Sequence, residues 1–330
     1  MIDIVDIAVN ITLFVQEIGD QAYPIMFLLS FLGSEGIYIF LALIIYWNVN
    51  PKLGLHIGIL SMISAGINTA LKIAIHSPRP YWVNNQVKAY QVESSFGIPS
   101  GHAQNAVVFW GTFAFFFKKG WFWLLSFVII LIIGLSRIYL GVHFFYDVIL
   151  GWFVGLIILI AYFYTMKYLK EWIRKRTNLQ LLIVAFSISL FLIGINILSR
   201  YLLKNWQFPQ EWLHNIIKSN PEHRLDSITT LKWVFVNSGT LFGFTSGAII
   251  LRTRGGFNAC GSFGKKFLRV LVGITAIGIF FYSYTQLFPI HESPISYISS
   301  YCLFTMIGAW ISWIAPITFY KLGLATPNKK

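Results

Sequence analysis

Three short polar segments interrupt the apolar sequence between residues 72 and 147, and their residue types suit phosphate chemistry. The segments contain the following residues: Lys72 and Arg79-Pro80 in the first; Pro99, Ser100, Gly101 and His102 in the second; Ser136, Arg137, His143 and Asp147 in the third. Together they supply three cations, two histidines, a carboxylate and the start of a helix. Such a set can bind a phosphate group and attack its phosphorus.

The cations and the second segment predict an anion-binding site. Lys72 supplies a point charge, whereas Arg79 and Arg137 each present a planar fork of donors that matches phosphate oxygens. Cations that converge on one spot repel one another unless an anion joins them. The second segment is typical of a helix start, where Ser100 caps the first turn and Gly101 lets the backbone approach closely. The free N–H groups of that turn attract anions.

The two histidines have the spacing of a nucleophile and an acid. His143 and Asp147 are four residues apart, so on a helix they share one face. The carboxylate can hold one imidazole nitrogen and leave the other aimed at phosphorus, as in a catalytic triad with histidine as the nucleophile. His102, on another helix, can protonate the departing oxygen and later activate water.

Each segment alone has a simpler interpretation. A charged residue inside a membrane can pair with Glu35 or with a lipid headgroup. A histidine at the end of a span can be a hydrogen-bonded interfacial residue, and Pro-Ser-Gly-His can be only a helix start. The three segments follow one another on one side of the predicted membrane, and this context favours a single site.

The composition is typical of an all-α polytopic membrane protein. The chain has 330 residues, of which 56% are hydrophobic and 11% charged, and its mean hydropathy is +0.67. The net charge of +13 would suit nucleic acid, but the excess basic residues lie in loops between spans, where they set orientation. Cys260 and Cys302 indicate neither a disulfide framework nor a zinc site. We expect no metal, no cofactor and no nucleic-acid partner.

Apolar runs long enough to cross a bilayer predict nine spans around the phosphate chemistry. Residues 2–18 form an amphipathic pattern that predicts a helix lying in the interface. The first span has a possible break at Gly33 to Gly36. The expected spans are about 22–48, 53–76, 99–117, 121–140, 144–166, 179–203, 233–251, 268–287 and 296–320. We therefore expect an interfacial helix over 1–20, a core with the three segments over 21–168, and a four-span extension over 169–330.

The distribution of basic residues predicts the orientation. With nine spans, most of the 25 basic residues fall in loops on one side, which the positive-inside rule makes cytoplasmic. All three polar segments then face the periplasm, the cell exterior or the lumen of the endoplasmic reticulum. The C-terminus is expected in the cytoplasm. No oligomeric state follows from the sequence.

The three segments resemble the tripartite signature of the type 2 phosphatidic acid phosphatase / vanadium haloperoxidase superfamily, over about residues 72–151. The resemblance implies metal-free hydrolysis through a phosphohistidine. It also implies the following roles: Lys72, Arg79, Ser100, Gly101 and Arg137 bind phosphate; His102 is the general acid; His143 is the nucleophile; Asp147 orients it.

Shorter patches are similar to the glucose-6-phosphatase branch of this superfamily. They are Arg79-Pro80-Tyr81-Trp82, Ser136-Arg137-Ile138-Tyr139-Leu140 and the run from Asn237 to Gly243. The nine-span layout is also similar. Asp147 instead follows the lipid phosphatases, because the sugar phosphatases carry an amide there. This second resemblance therefore bears on architecture more than on substrate.

The expected activity is hydrolysis of a lipid phosphomonoester, such as phosphatidic acid, sphingosine 1-phosphate or phosphatidylglycerol phosphate, at the outer face. A lipid could reach a site at the ends of spans sideways from the bilayer. The alternatives are a glucose-6-phosphatase-like sugar phosphatase, a polyprenyl diphosphate phosphatase, and a transporter that binds phosphate or lipid without hydrolysis.

Three further residues are candidates for contact with the substrate. Glu35 lies inside the first span, His76 within the first segment, and Tyr81 directly after it. Glu35 could equally be a structural carboxylate, and His76 an interfacial residue at a helix end. The loop 204–232, with Trp206 and other aromatic residues, could form a second interfacial helix or cover the site.

Overall fold

The structure is a computed structural model that describes residues 4–219, 228–287 and 293–327, and this part of the chain is helical. Its only β-type pairing is an isolated bridge between Asn258 and Thr326. The helices are α1 Ile4–Gln16, α2 Tyr23–Leu32, α3 Glu35–Asn48, α4 Pro51–Ile75, α5 Pro80–Val83, α6 Gly101–Phe117, α7 Gly120–Tyr139, α8 Phe145–Arg174, α9 Asn178–Leu202, α10 Gln210–Ser219, α11 Lys232–Thr253, α12 Phe263–Leu287, α13 Pro294–Ala309 and α14 Ala315–Lys321. The predicted all-α class is confirmed.

Seven helical stretches within the described residues are long and apolar enough to cross a membrane. They are Pro51–Val83, Gly120–Tyr139, Phe145–Arg174, Asn178–Leu202, Lys232–Thr253, Phe263–Gln286 and Pro294–Lys321. An eighth is possible if Asp20–Leu32 and Glu35–Asn48, bent by 51° at the predicted break, form one span. The remaining predicted span is α6, with 17 residues. The count of nine therefore stays a prediction.

The chain folds as two compact units. The first contains Met1–Tyr38, Ile67–Ile160 and Asn196–Thr230, and the second contains Ile39–Gly66, Ala161–Ile195 and Leu231–Lys330. All three polar segments belong to the first unit. The boundaries predicted after residues 20 and 168 stay predictions.

Two glycines of α8 set the packing of α6 in the first unit. A Cβ atom on Gly151 would lie 2.6 Å from the Ser100 carbonyl oxygen, and one on Gly155 would lie 2.6 Å from that of Gln104. Glycines four residues apart let two apolar helices bring their backbones into contact. The start of α6 is thereby held against the start of α8, and the backbone N–H of Ser100 donates to the carbonyl oxygen of Asp147 at 2.9 Å.

Helix α1 packs in the first unit through Ala8 and Val9, and one polar side chain anchors its end. Gln16 is buried, and its amide group donates to the carbonyl oxygens of Lys88 (2.8 Å) and Tyr139 (2.9 Å). Its amide oxygen accepts from the Lys88 N–H at 3.0 Å. Ile4 and Phe14 are exposed on the other face. The location of α1 at a membrane interface stays a prediction.

The second unit depends on close helix packing and one buried arginine. A Cβ atom on Gly239 would lie 2.4 Å from a carbonyl oxygen of α13, and one on Gly243 would lie 1.9 Å from another. These two glycines therefore allow α11 to approach α13 closely. Arg269 is fully buried and donates to carbonyl oxygens of Trp47, Ala259, Cys260 and Leu324. The glycines allow α11 to pack against α13, and Arg269 joins α12 to the segments around Trp47, Ala259 and Leu324. The second unit contains none of the predicted site residues.

We predict that Gly155→Ala destabilises the protein by about 1–3 kcal/mol, because its methyl group would force α6 away from α8. The matched control is Gly194→Ala on α9, an exposed position where the added methyl group would have no packing neighbour within 4 Å. It should stabilise its helix by up to about 1 kcal/mol. Thermal unfolding in detergent measures both effects. Unfolding of Gly155→Ala at or above the wild-type temperature would show that this contact does not limit the packing.

Candidate active site

The first polar segment places two cations beside the loop that precedes α6. Lys72 lies in the last turn of α4, and Arg79 precedes α5, because the prolines at 78 and 80 end one helix and begin the next. The Lys72 ammonium donates to the carbonyl oxygens of Phe96 (2.5 Å) and Gly97 (3.0 Å). One of its three N–H donors remains for another partner.

Arg79 connects this loop to the third polar segment, and all five of its N–H donors are used. Nε donates to the Ser95 carbonyl oxygen at 2.6 Å, and Nη2 donates to Ser95 Oγ at 3.0 Å and to the Phe96 carbonyl oxygen at 3.1 Å. Nη1 donates to the Val142 carbonyl oxygen at 2.7 Å and contacts His143 Nε2 at 3.3 Å.

The contacts of His143 determine its tautomer. Nδ1 lies 3.3 Å from Asp147 Oδ2, and the same oxygen accepts the Phe144 N–H at 2.9 Å. Because a guanidinium can only donate, Nε2 must accept from Arg79, so the ring proton resides on Nδ1 and points to Asp147. The lone pair of Nε2 is then the reactive one, as the sequence predicts for a nucleophile.

The surroundings of His143 favour the neutral ring. Burial, followed by the positive charges of Arg79, Lys72 and Arg137, holds the pKa of His143 well below its usual range, and His102 acts in the same direction. A neutral imidazole keeps its Nε2 lone pair. Of the predicted site residues, Arg79 and Asp147 contact the ring directly.

The second segment begins α6 as predicted. Ser100 is the N-cap residue, and its hydroxyl accepts from the Ala103 N–H at 3.5 Å. A Cβ atom on Gly101 would lie 3.1 Å from Asn68 Oδ1, so the glycine allows a close contact with α4. His102, the second residue of α6, is half-buried. The first N–H groups of this helix are free to bind an anion in principle, and their role in phosphate binding stays a prediction.

Arg137 is fully buried and is held by three side chains. Nη1 donates to Ser30 Oγ and to Gln91 Oε1 (3.0 Å), and Nη2 donates to the carboxylate of Glu93. Its Nε has no hydrogen-bond partner within the described residues. One edge of this guanidinium is therefore available for a further acceptor.

Sequence reasoning did not identify Glu93. It forms the ion pair with Arg137, and its side chain is 23% exposed. A signal was present, since Glu93 is the only acidic residue between the first and second segments. Three cations and one predicted acid leave an excess of positive charge, which a buried site normally balances. The need to balance the charge of the three cations could have identified Glu93.

The predicted substrate-proximal residues have different positions. Tyr81 is buried, and its hydroxyl contacts the backbone N (3.3 Å) and O (3.4 Å) of Glu93. His76 follows α4 with a φ of 41°, and its ring packs edge-on against Trp206 at 5.1 Å. Glu35 begins α3 and is exposed, and no hydrogen bond or ion pair joins it to the cluster among the described residues.

Aromatic residues after α9 cover the loop that accepts the cations. Phe96 contacts Trp206 at 5.6 Å and stacks on Phe208 at 5.8 Å between ring centroids. Asn215 of α10 donates to the carbonyl oxygen of Trp82 at 2.9 Å. Helix α10 agrees with the predicted helix in the loop 204–232, part of which (220–227) lies outside the described residues.

The donor groups of the cluster suit an anion. Three cations and the N-terminal N–H groups of α6 supply hydrogen-bond donors, while the acids are already engaged with His143 and Arg137. Within the described residues, no group of three or more His, Cys, Asp or Glu side chains could hold a metal ion.

Comparison with known proteins identifies the family. A family model described as PAP2 superfamily matches residues 53–171, and one described as PAP2 superfamily phosphatase, transmembrane extension, matches residues 235–327. Glucose-6-phosphatase 2 of Homo sapiens is 24% identical over 341 residues, which cover 91% of each chain. No solved structure matches the chain significantly.

Two microbial relatives match shorter parts of the chain. Phosphatidylglycerophosphatase B of Bacillus subtilis is 36% identical over 92 residues, which cover 25% of this chain and 43% of that protein. Undecaprenyl-diphosphatase of Sulfolobus acidocaldarius is 29% identical over 134 residues, which cover 40% of this chain and 64% of that protein. The family expected from the three polar segments is confirmed: this integral membrane protein belongs to the PAP2 superfamily of phosphatases.

Proposed function

We propose that the protein hydrolyses a phosphomonoester through a phosphohistidine on His143, at the extracytoplasmic or lumenal face. The observation that carries the proposal is the placement of the His143 ring between Asp147 and Arg79. Its Nδ1–H points to Asp147 and its Nε2 lone pair points to a buried cation, Arg79. A phosphate bound to that cation would lie next to the attacking atom, which is the requirement for nucleophilic catalysis.

The first step transfers the phosphoryl group to the protein. Phosphate oxygens bind the free donors of Lys72 and Arg137 and the N–H groups at the start of α6, and Arg79 moves its Nη1–H from Nε2 to a phosphate oxygen. Nε2 then forms a bond to phosphorus while the ester P–O bond breaks. The leaving oxygen takes the electron pair of that bond and a proton from His102.

The second step returns the protein to its starting state. His102 accepts a proton from water, whose oxygen attacks phosphorus as the P–N bond breaks. The electron pair returns to Nε2, and inorganic phosphate is the product. Asp147 stabilises the positive charge of the phosphorylated imidazole in both steps.

A lipid phosphate is the substrate class that we propose first. Asp147 follows the lipid-phosphatase pattern, and two of the relatives are named for lipid substrates, a phosphatidylglycerophosphatase and an undecaprenyl-diphosphatase. Phosphatidic acid, sphingosine 1-phosphate and phosphatidylglycerol phosphate are the leading monoesters. The placement of the site outside the cytoplasm rests on the distribution of basic residues.

A sugar phosphate is the second candidate. The similarity to glucose-6-phosphatase 2 extends over 91% of both chains, including the C-terminal spans. The polyprenyl diphosphate alternative has support only over the 134 residues shared with undecaprenyl-diphosphatase.

We predict that the purified protein releases phosphate without added metal and in the presence of chelator, and that His143→Ala lowers the rate at least about 10³-fold. The panel contains phosphatidic acid, sphingosine 1-phosphate, phosphatidylglycerol phosphate, a polyprenyl diphosphate and glucose 6-phosphate. His214→Ala, which changes an exposed histidine of α10, is the control. Preference for glucose 6-phosphate would replace the lipid proposal, and unchanged release by His143→Ala would disprove the site.

Asp147 allows a test of its charge separately from its geometry. Both hydrogen bonds to this side chain use Oδ2. An amide oxygen in Asp147→Asn can accept both bonds but carries no charge, so we predict a loss in kcat of about 10- to 100-fold. Asp147→Ala removes the orientation as well and should cost about 10²- to 10⁴-fold. Equal losses in the two variants would show that the charge alone matters and that the orientation adds nothing.

A further inference from the structure

Glu93 forms an ion pair with Arg137. Glu93 Oε1 accepts from Arg137 Nη2, and within the described residues this is the one ion pair that Arg137 forms. Nη1 is engaged by Ser30 and Gln91 instead. The charge of one proposed phosphate-binding residue is therefore already compensated by a carboxylate of the chain.

The position of Glu93 is fixed on both sides. The Tyr81 hydroxyl contacts its backbone N and O at 3.3 and 3.4 Å. Two and three residues later, Arg79 holds Ser95 and the Phe96 carbonyl oxygen. The segment that bears Glu93 is thus attached to the same arginine that contacts the proposed nucleophile, and the carboxylate cannot leave the site without a change in its side-chain rotamer.

Arg137 has one unpartnered donor, and it neighbours the nitrogen from which Glu93 accepts. Nε has no partner among the described residues, and Nη2 donates to Glu93. A phosphate that binds an arginine in the two-point manner requires two neighbouring N–H donors, and Nε with Nη2 is such a pair. Glu93 already accepts from Nη2 and two anions at one nitrogen repel each other, so a phosphate would compete with the carboxylate.

The carboxylate keeps its charge at neutral pH. Burial alone would raise the pKa of Glu93, but Arg137 and Arg79, with a further contribution from His102, lower it to about 2. Phosphate binding therefore meets a full negative charge.

We propose that Glu93 is a positioning residue that serves as the resident counter-ion of Arg137: it fixes the guanidinium in the empty site, yields Nη2 to the incoming phosphate, and returns to expel the product. This inference rests on the proposed function, since it assigns Arg137 to phosphate. It predicts that the native protein binds phosphate less tightly than it could and in return releases product faster.

Glu93→Gln tests the charge because the amide oxygen can still accept from Nη2. Isothermal titration of the full-length protein in detergent with inorganic phosphate should give a Kd about tenfold lower than in the wild type. In ester hydrolysis, KM and kcat should both fall, because product leaves more slowly. Glu17→Gln, which removes a charge from an exposed residue after α1, should match the wild type.

A second pair of variants makes the test independent of whether Glu93→Gln folds. Glu93→Asn and Glu93→Asp have the same shape and differ only in charge. Glu93→Asn should bind inorganic phosphate more tightly than Glu93→Asp, although both lose the reach to Nη2. Equal or weaker phosphate binding in the neutral member of either pair would overturn the inference and leave Glu93 as a structural partner.

Failure of the inference is distinguishable from failure of the proposed function. Hydrolysis by the wild type with no gain in phosphate affinity in Glu93→Gln rejects the counter-ion role alone. A wild type that neither hydrolyses any ester of the panel nor binds inorganic phosphate rejects both. Lower KM with unchanged kcat in Glu93→Gln would reject the part of the inference that concerns product release.

Discussion

The burial of three cations, one of which contacts His143, is the constraint on which the proposed site depends. Lys72, Arg79 and Arg137 are 8%, 1% and 0% exposed. Buried charges persist only when hydrogen bonds or opposite charges compensate them. Lys72 and Arg79 use carbonyl oxygens of the loop before α6, and Arg137 uses Glu93. The loop therefore takes its shape from the cations, and its carbonyl oxygens in turn hold the cations in place.

Helix packing connects this charged cluster to the proposed nucleophile. The glycines of α8 allow its backbone to touch α6, and the Ser100 N–H to Asp147 carbonyl bond joins the two helix starts. Asp147 then uses its side chain for His143, so one residue fixes both the anion-binding turn and the imidazole. Preorganisation of this kind lets an enzyme stabilise developing charge without rearranging during the reaction.

Local sequence spacing predicted part of this site and could not predict the rest. His143 with Asp147, and Ser100 at a helix start, follow from short spacings that a helix converts directly into contacts. The break between α2 and α3 was also predictable, because two glycines lie there. Ser30, Gln91 and Glu93 meet Arg137 across 107, 46 and 44 residues, and no local pattern reports such contacts. The substrate class also needs more than the signature, because the phosphate-binding residues recognise only the group that lipid and sugar phosphates share.

The most direct test of the central claim is to trap the phosphorylated protein during turnover. Rapid alkaline quenching with a substrate labelled in its phosphate, followed by mass spectrometry of the peptides, locates the modified residue. Our account predicts a phosphate on His143, with a larger trapped fraction in His102→Ala because hydrolysis of the intermediate needs that base. Phosphate on any other residue, or turnover by His143→Ala at the wild-type rate, would contradict it.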